Sequence, residues 1–234
     1  MTVLDVGCGT GAITAGIAKL VAPQGRVVGV DRDETLLAVA RQEYGGAENL
    51  SFEHGDVLSL NFSDAFDVVT AARTLQWVSE PGRAVHQMTA AAKVAGRIVV
   101  LDYNHADNRW EPDPPTEFVR FYAAFLEWRT ANRWSNRMAD ELPELLRAAG
   151  VTDVRIHADD QIAERGDPDF SEAVDIWSAV IENVGPRVVA SGHLTERELA
   201  SAGEHYREYV QYRLQRQTLS MKTVEGFKAA RPVA

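Results

Sequence analysis

A single cysteine, Cys8, stands in 234 residues. No internal disulfide can form, and zinc sites built on Cys₄ or Cys₂His₂ are excluded. Positive charge is scarce too: 24 Lys and Arg against 34 Asp and Glu leave a formal net charge of -10. That balance argues against a protein whose main work is gripping nucleic-acid phosphates. No run is long and apolar enough to read as a membrane span. The most apolar stretch, residues 3–22, is broken by Asp5, Thr10, Thr14 and Lys19 and has no basic leader, so it does not read as a signal peptide. A soluble, cytoplasmic chain is expected. Repeats and low-complexity tracts are missing as well. What remains is ordinary globular material, 45% hydrophobic and 25% charged, enough to bury a full core without staples.

The first hundred residues alternate short apolar runs with amphipathic stretches. Strands are expected at 2–6, 26–30, 50–54, 66–71 and 97–101, and helices at 12–21, 34–43 (capped by Asp33) and 79–92 (capped by Ser79). The strands are continuous apolar runs, as in a parallel sheet covered on both faces. Later, Asp113-Pro114 is expected to start a helix carrying Phe118, Phe121, Tyr122, Phe125 and Trp128. A helix over 140–149 closes on Gly150, a sixth strand covers 152–157, and Asp167-Pro168 opens a helix to about 183. The capping box Thr195–Glu198 opens a long helix to about 217. The last strand is placed at 218–224. The expected organisation is one domain over 1–234. It has a cofactor-binding core at 1–105, helical insertions at 106–150 and 159–217, and a last strand and tail at 218–234.

The sharpest feature is the turn Val3-Leu-Asp-Val-Gly-Cys-Gly-Thr-Gly11, between a strand and a helix. Glycines at 7, 9 and 11 permit positive φ and let a ligand approach the backbone. The first turn of a doubly wound sheet is where nucleotide-like cofactors bind. Dinucleotide sites use G-x-G-x-x-G and hold a pyrophosphate. Here the third glycine comes one residue early, and Asp5 lies two residues before the first. A carboxylate there would repel a pyrophosphate and attract a ligand with an ammonium and a sulfonium, as in S-adenosylmethionine. Asp31, at the end of the second strand, suits both ribose hydroxyls, a role that serves NAD equally. Asp56, in His54-Gly55-Asp56-Val57, suits the adenine amino group, with His54 ordering its loop. The segment Asp67–Trp77 leaves the fourth strand at the switch point of the sheet.

The order VLDVGCGTG, VVGVD, EHGDV, FDVVTAARTLQWV, GRIVVLDY resembles the class I S-adenosylmethionine-dependent methyltransferases. It is most similar to their small-molecule branch of ubiquinone/menaquinone-type and trans-aconitate-type enzymes. The resemblance covers residues 2–103. It implies a Rossmann-like, doubly wound α/β fold: a mainly parallel seven-stranded sheet with helical insertions after strand 5 and between strands 6 and 7. It implies that Asp5, Gly7 and Gly9 hold the methionine portion, Asp31 binds ribose, and Asp56 and Val57 flank adenine. Cys8, Gly11, Arg32 and Ala72 complete the cofactor-binding set, Cys8 serving by its small size. Arg73, Gln76, Trp77 and Trp128 are the acceptor-pocket candidates. Two departures are visible. The family normally carries one or two helices before the first motif, whereas this chain begins on it, either as a shortened form or with the inserted helices as cover. Val94-Ala95-Gly96 also replaces the usual Pro-Gly-Gly turn.

The aromatic stripe has two readings: a helix packing its apolar face on the core, or a lid lining an acceptor pocket. Arg129 and Arg133 are read as solvated, with an anionic acceptor as the alternative. Tyr103 and His105 follow the fifth strand and are candidate general bases. Methyl transfer from a sulfonium is an in-line displacement, and the protein must mainly hold nucleophile and methyl about 3 Å apart and aligned. The expected function is therefore methyl transfer from S-adenosylmethionine to a small-molecule acceptor, with no metal, no nucleic acid and no membrane. The long helix after Thr195 is either core or half of a homodimer contact. A non-catalytic methyltransferase-like binding subunit and an NAD(P)-dependent oxidoreductase are the alternatives.

Overall fold

The computed structural model describes residues 1–230. In chain order its elements are β1 (Thr2–Val6), α1 (Ala12–Val21), β2 (Arg26–Asp31), α2 (Glu34–Tyr44), β3 (Leu50–His54), β4 (Phe66–Ala72), α3 (Pro81–Ala91), β5 (Ala92–Tyr103) and β6 (Arg109–Glu111). There follow α4 (Thr116–Ala131), α5 (Met138–Ala148), β7 (Val151–Ala158), β8 (Gln161–Glu164), α6 (Phe170–Val174), α7 (Ile176–Asn183), α8 (Gly185–Ala190), α9 (Glu196–Tyr212), β9 (Arg216–Leu219) and β10 (Met221–Lys228). The chain divides into two compact units.

Of the described residues, the first unit comprises 1–102, 138–158 and 222–230. Its seven-stranded sheet has the order β3-β2-β1-β4-β5-β10-β7. β1 pairs in parallel with β2 and β4, β2 with β3, and β4 with β5, while β10 and β7 are antiparallel. This is the doubly wound, mainly parallel sheet that the motif order implies. Valine-rich runs suit it because branched side chains pack well on a pleated surface covered on both sides. One core cluster joins Leu4, Val6, Val69, Ile98 and Val100 to Met88 of α3 and Leu142 of α5. Another joins Val3 and Val27 to Ala15 and Ala18 of α1 and Leu37 of α2. Asp33 caps α2 as expected, accepting the Thr35 N–H at 2.9 Å and the Leu36 N–H at 3.3 Å.

The second unit comprises 103–137 and 159–221. It holds α4, α6–α9 and a three-stranded antiparallel sheet of order β6-β9-β8, which the sequence reading did not anticipate. Its core is aromatic. Phe118 stacks on Tyr206 with centroids 4.4 Å apart, Trp110 meets Phe118 edge-on at 5.2 Å, and Trp177 meets Tyr122 at 4.9 Å. Offset and edge-on rings satisfy their quadrupoles. Two of its polar ends find partners inside: Trp110 Nε1 donates to Gln217 Oε1 (2.9 Å) and the Tyr206 hydroxyl to the Val174 carbonyl (2.9 Å).

Several boundaries differ from the expectation. The strand placed at 218–224 is two strands in different sheets. Ser220 breaks it, donating its N–H to Asn108 Oδ1 and accepting the Asn104 N–H, each at 2.8 Å. The long helix ends at Tyr212, freeing β9 to pair on both edges. α4 begins at Thr116, and the helix expected from Asp167-Pro168 is two, α6 and α7. Ser79 does not cap α3; Pro81 opens that helix with Glu80 at the cap position. α5, assigned by sequence to an insertion, belongs to the first unit. Of the tail, residues 231–234 lie outside the described residues.

Candidate active site

The strand order reverses direction between β1 and β4, and ligands of open α/β sheets bind outside the carboxyl ends of strands at that point. The glycine turn follows β1 there. Gly7, Gly9 and Gly11 have φ of 71°, 53° and 82°. At Gly7 a Cβ would lie 2.3 Å from the Thr74 side chain, so this glycine serves packing. At Gly9 a Cβ would meet nothing within 4 Å among the described residues. Open space above a positive-φ glycine is a cradle into which a ligand can approach the backbone, and the residues present fit a nucleoside cofactor. Gly11 is in the left-handed conformation at the head of α1 and supplies no side-chain cap.

The surrounding strands hold this turn. The Gly7 and Cys8 N–H groups donate to the Val30 carbonyl at 2.7 and 3.1 Å. Asp31 Oδ2 accepts the Gly9 N–H at 2.8 Å and Oδ1 accepts the Asp33 N–H at 2.9 Å. An ionised carboxylate has about four acceptor positions, so these two bonds leave capacity for ribose hydroxyls. The Thr74 hydroxyl lies 3.1, 3.3 and 3.4 Å from the carbonyls of Ala72, Val6 and Gly7, tying the exit of β4 to the turn. Thr74 is a site-shaping residue that sequence reasoning missed; the only available signal was its place between Arg73 and Leu75 after the fourth strand.

Asp5 is the next-to-last residue of β1, 2% exposed, and its Oδ2 accepts the Thr14 hydroxyl at 2.7 Å. Burial pushes its carboxyl up to about 6, against the lowering hydrogen bond from Thr14; the charge of Asp31 adds to the rise. A buried carboxylate under such strain favours a positive partner. Cys8 is buried, and its thiol is pushed up to about 12 by burial and by the charges of Asp5 and Asp31. It is an inert packing residue, set against β2: a Cβ on Gly29 would lie 3.0 Å from its sulfur.

Asp56 Oδ1 accepts the Leu58 N–H at 2.8 Å and opens the short 3-10 turn Val57–Ser59. Its loop is anchored by the Gly55 N–H on the Asp31 carbonyl (3.0 Å) and by His54 Nε2 on the Arg32 carbonyl (3.2 Å). The structure thus links the glycine turn, Asp31, Arg32 and the loop of Asp56 and Val57 by hydrogen bonds, while Asp5 lies in β1 and bonds Thr14. Ala72 ends β4. Arg73 is exposed with φ 58°, and its N–H reaches the Leu101 carbonyl at 2.8 Å. Gln76 is buried; its N–H donates to Asp102 Oδ2 at 3.0 Å, which fixes the 3-10 turn Leu75–Trp77. A groove of about 330 Å³ lies at the far ends of α1 and α2, lined by alanines, Tyr44 and Leu50, and does not include the glycine turn.

The remaining candidates belong to the second unit. Trp128 is 7% exposed and meets Phe125 and Trp134. Tyr103 and His105 are 5% and 6% exposed and stack on each other, with centroids 5.1 Å apart. Burial, helped by the Arg129 charge, holds His105 well below the usual histidine range, so its imidazole is neutral. Arg129, expected to be solvated, is fully buried. Its Nε donates to Asn136 Oδ1 at 2.9 Å, its Nη2 to the Ser135 carbonyl at 3.0 Å, and its guanidinium lies over Phe125. Arginine tolerates this because fixed acceptors take Nε and Nη2 of its planar fork.

Residues 1–150 match the family model described as a methyltransferase domain. Among curated relatives, the demethylmenaquinone methyltransferase of Staphylococcus aureus is 29% identical over 66% of this chain and 69% of its own length. Among solved structures, phosphoethanolamine N-methyltransferase 2 of Haemonchus contortus, with S-adenosyl-L-methionine bound, superposes with a TM-score of 0.62 at 16% identity, covering 98% of this chain. This chain spans only 49% of that protein's length. The [4+2]-cyclase SpnF superposes with a TM-score of 0.58 at 22% identity over 98% of this chain and 76% of its own. Together with the sheet order and the glycine turn, the match over residues 1–150 leads to one conclusion: the chain belongs to the methyltransferase-domain family, as a class I S-adenosylmethionine-dependent member.

Proposed function

We propose that this protein transfers a methyl group from S-adenosylmethionine to a small-molecule acceptor. One observation carries the reading: beneath an open glycine turn lies a buried carboxylate, Asp5, whose ionisation burial penalises. Such a group is relieved by a cation and aggravated by a pyrophosphate. This favours a sulfonium and ammonium ligand over a dinucleotide, in line with the family match.

Bound there, S-adenosylmethionine supplies a methyl already activated on a sulfonium. The chain's own residues then bind and orient. Gly9 lets the methionine portion lie against the backbone, Asp5 faces its ammonium, Asp31 accepts from the ribose, and Asp56 with Val57 flanks the adenine. Arg73, Gln76 and Trp77, at the exit of β4, are the residues proposed to meet the acceptor. An acceptor that attacks as a carboxylate needs no base, whereas a phenol or enolisable carbon does. The S. aureus relative acts on demethylmenaquinone by name, which makes quinol-like aromatics the first acceptor class to try.

The test is titration calorimetry with S-adenosylhomocysteine, with NAD as the control. Binding of the first alone is expected. Asp31→Ala should weaken it by about 1–3 kcal/mol, since charge-assisted hydrogen bonds to ribose are lost. Binding of NAD alone, or of neither ligand, would overturn the proposal.

A further inference from the structure

The Asp5–Thr14 pair is isolated from solvent, and nothing in the glycine motif itself requires it. Asp5 lies near the carboxyl end of β1, paired with Gly29 of β2 and Thr70 of β4. Thr14 is the third residue of α1, in its first turn, and fully buried. A threonine at this helix position has no need to bond a strand carboxylate; its hydroxyl can return to its own helix. Here it donates to Asp5 Oδ2 at 2.7 Å, within normal hydroxyl hydrogen-bond length.

We propose that Thr14 is a positioning residue for cofactor binding: its hydroxyl holds the Asp5 carboxylate ionised and oriented toward the cationic end of the cofactor. The inference rests on the reading of the ligand as S-adenosylmethionine and deepens it. The charged and titratable groups around Asp5 are Asp31 from the end of β2, Cys8 from the glycine turn, and Arg41 of α2, which acts on Cys8. Asp31 opposes a charge on Asp5, and the buried thiol stays neutral. Thr14 is therefore the neighbour that favours the ionised form. Without it, Asp5 protonates at a higher pH and loses its attraction for an ammonium.

The experiment is calorimetric titration of S-adenosylhomocysteine from pH 5 to 8 with wild type, Thr14→Val and Thr14→Ser. Wild type is expected to lose affinity as pH falls through the Asp5 carboxyl. Thr14→Val should move that loss to higher pH and bind about tenfold more weakly at pH 7, while Thr14→Ser should follow wild type. A Thr14→Val profile that overlays wild type would overturn the proposal, as would an equal loss at every pH in both variants. If Thr14→Val does not fold, the Asp5 carboxyl carbon is followed by NMR in wild type and Thr14→Ser. The two must titrate together and shift to lower pH with ligand; a ligand-independent midpoint rejects the role. If wild type fails to bind at all, the cofactor reading itself has failed, which is a different result.

Discussion

The two units are built from different material, and the difference decides what each can reveal. The first is a valine and alanine sheet, and among its buried polar groups Asp5 and Thr14 pair beside the glycine turn while Gln76 and Asp102 pair at the exit of β4. The second is an aromatic core in which Phe118, Phe121, Phe125 and Trp177 fill the interior. Its buried polar groups, Gln217, Tyr206 and Arg129, are held by one another, by neighbouring side chains or by backbone carbonyls. Aromatic rings on a helix look alike in sequence whether they line a pocket or fill a core. In the second unit they fill the core.

The largest test of that contrast is Phe118→Ala. Truncating a fully buried ring should cost about 3–5 kcal/mol. Of the five tryptophans, Trp110, Trp128, Trp134 and Trp177 lie in the second unit and Trp77 in the first. In the variant, tryptophan fluorescence should therefore change at lower denaturant than circular dichroism. Coincident transitions would show that the two units unfold as one and would break the comparison.

Next in size is Asp5→Asn. The Asp5 carboxyl is raised from 3.8 to about 6 in the fold. Below pH 3.8 both states are protonated and nothing is lost. As pH rises from there to 6 the unfolded chain ionises first, so folding loses stability, fully so above about 6. The charge costs the free protein up to about 3 kcal/mol at pH 8. Asp5→Asn should raise the melting temperature of the free protein at pH 8, leave it nearly unchanged at pH 4, and abolish cofactor binding. A lower melting temperature at pH 8 would show that Asp5 stabilises the fold instead of straining it for function.

The smallest effect separates two glycines. Gly7→Ala meets both a positive φ and Thr74 and should lose roughly 1–3 kcal/mol of stability. Gly9→Ala has positive φ but open space, so it should lose less stability and more cofactor affinity. Chemical denaturation and calorimetry on the pair would read this directly; equal stability losses would deny the division between packing and binding glycines.

Much of the first unit was legible. Asp33 capped its helix, the first four strands stood within a residue of where valine runs and motif spacing placed them, the fifth began five residues early at Ala92, and Cys8 was read as small and inert. These are local signals, set by side-chain branching and backbone conformation within a few residues. The second unit was legible only in outline. Nothing near Ser220 announced that two sheets divide one apolar run, since its partners Asn104 and Asn108 are more than a hundred residues away. Arg129 looked solvated because charge is a solvent signal until fixed acceptors bury it.

The sequence by itself determined where the leading strands lie along the chain, the place of the glycine turn and the acidic residues around it, because glycine spacing and strand ends act locally. Only the tertiary structure decided that Asp31 holds the Gly9 amide, that Thr74 closes on the turn, that Thr14 serves Asp5, and that the aromatic helix is core. Each of these depends on which surfaces meet once strands and helices pack, and burial in that packing gives a carboxylate or a guanidinium its chemistry.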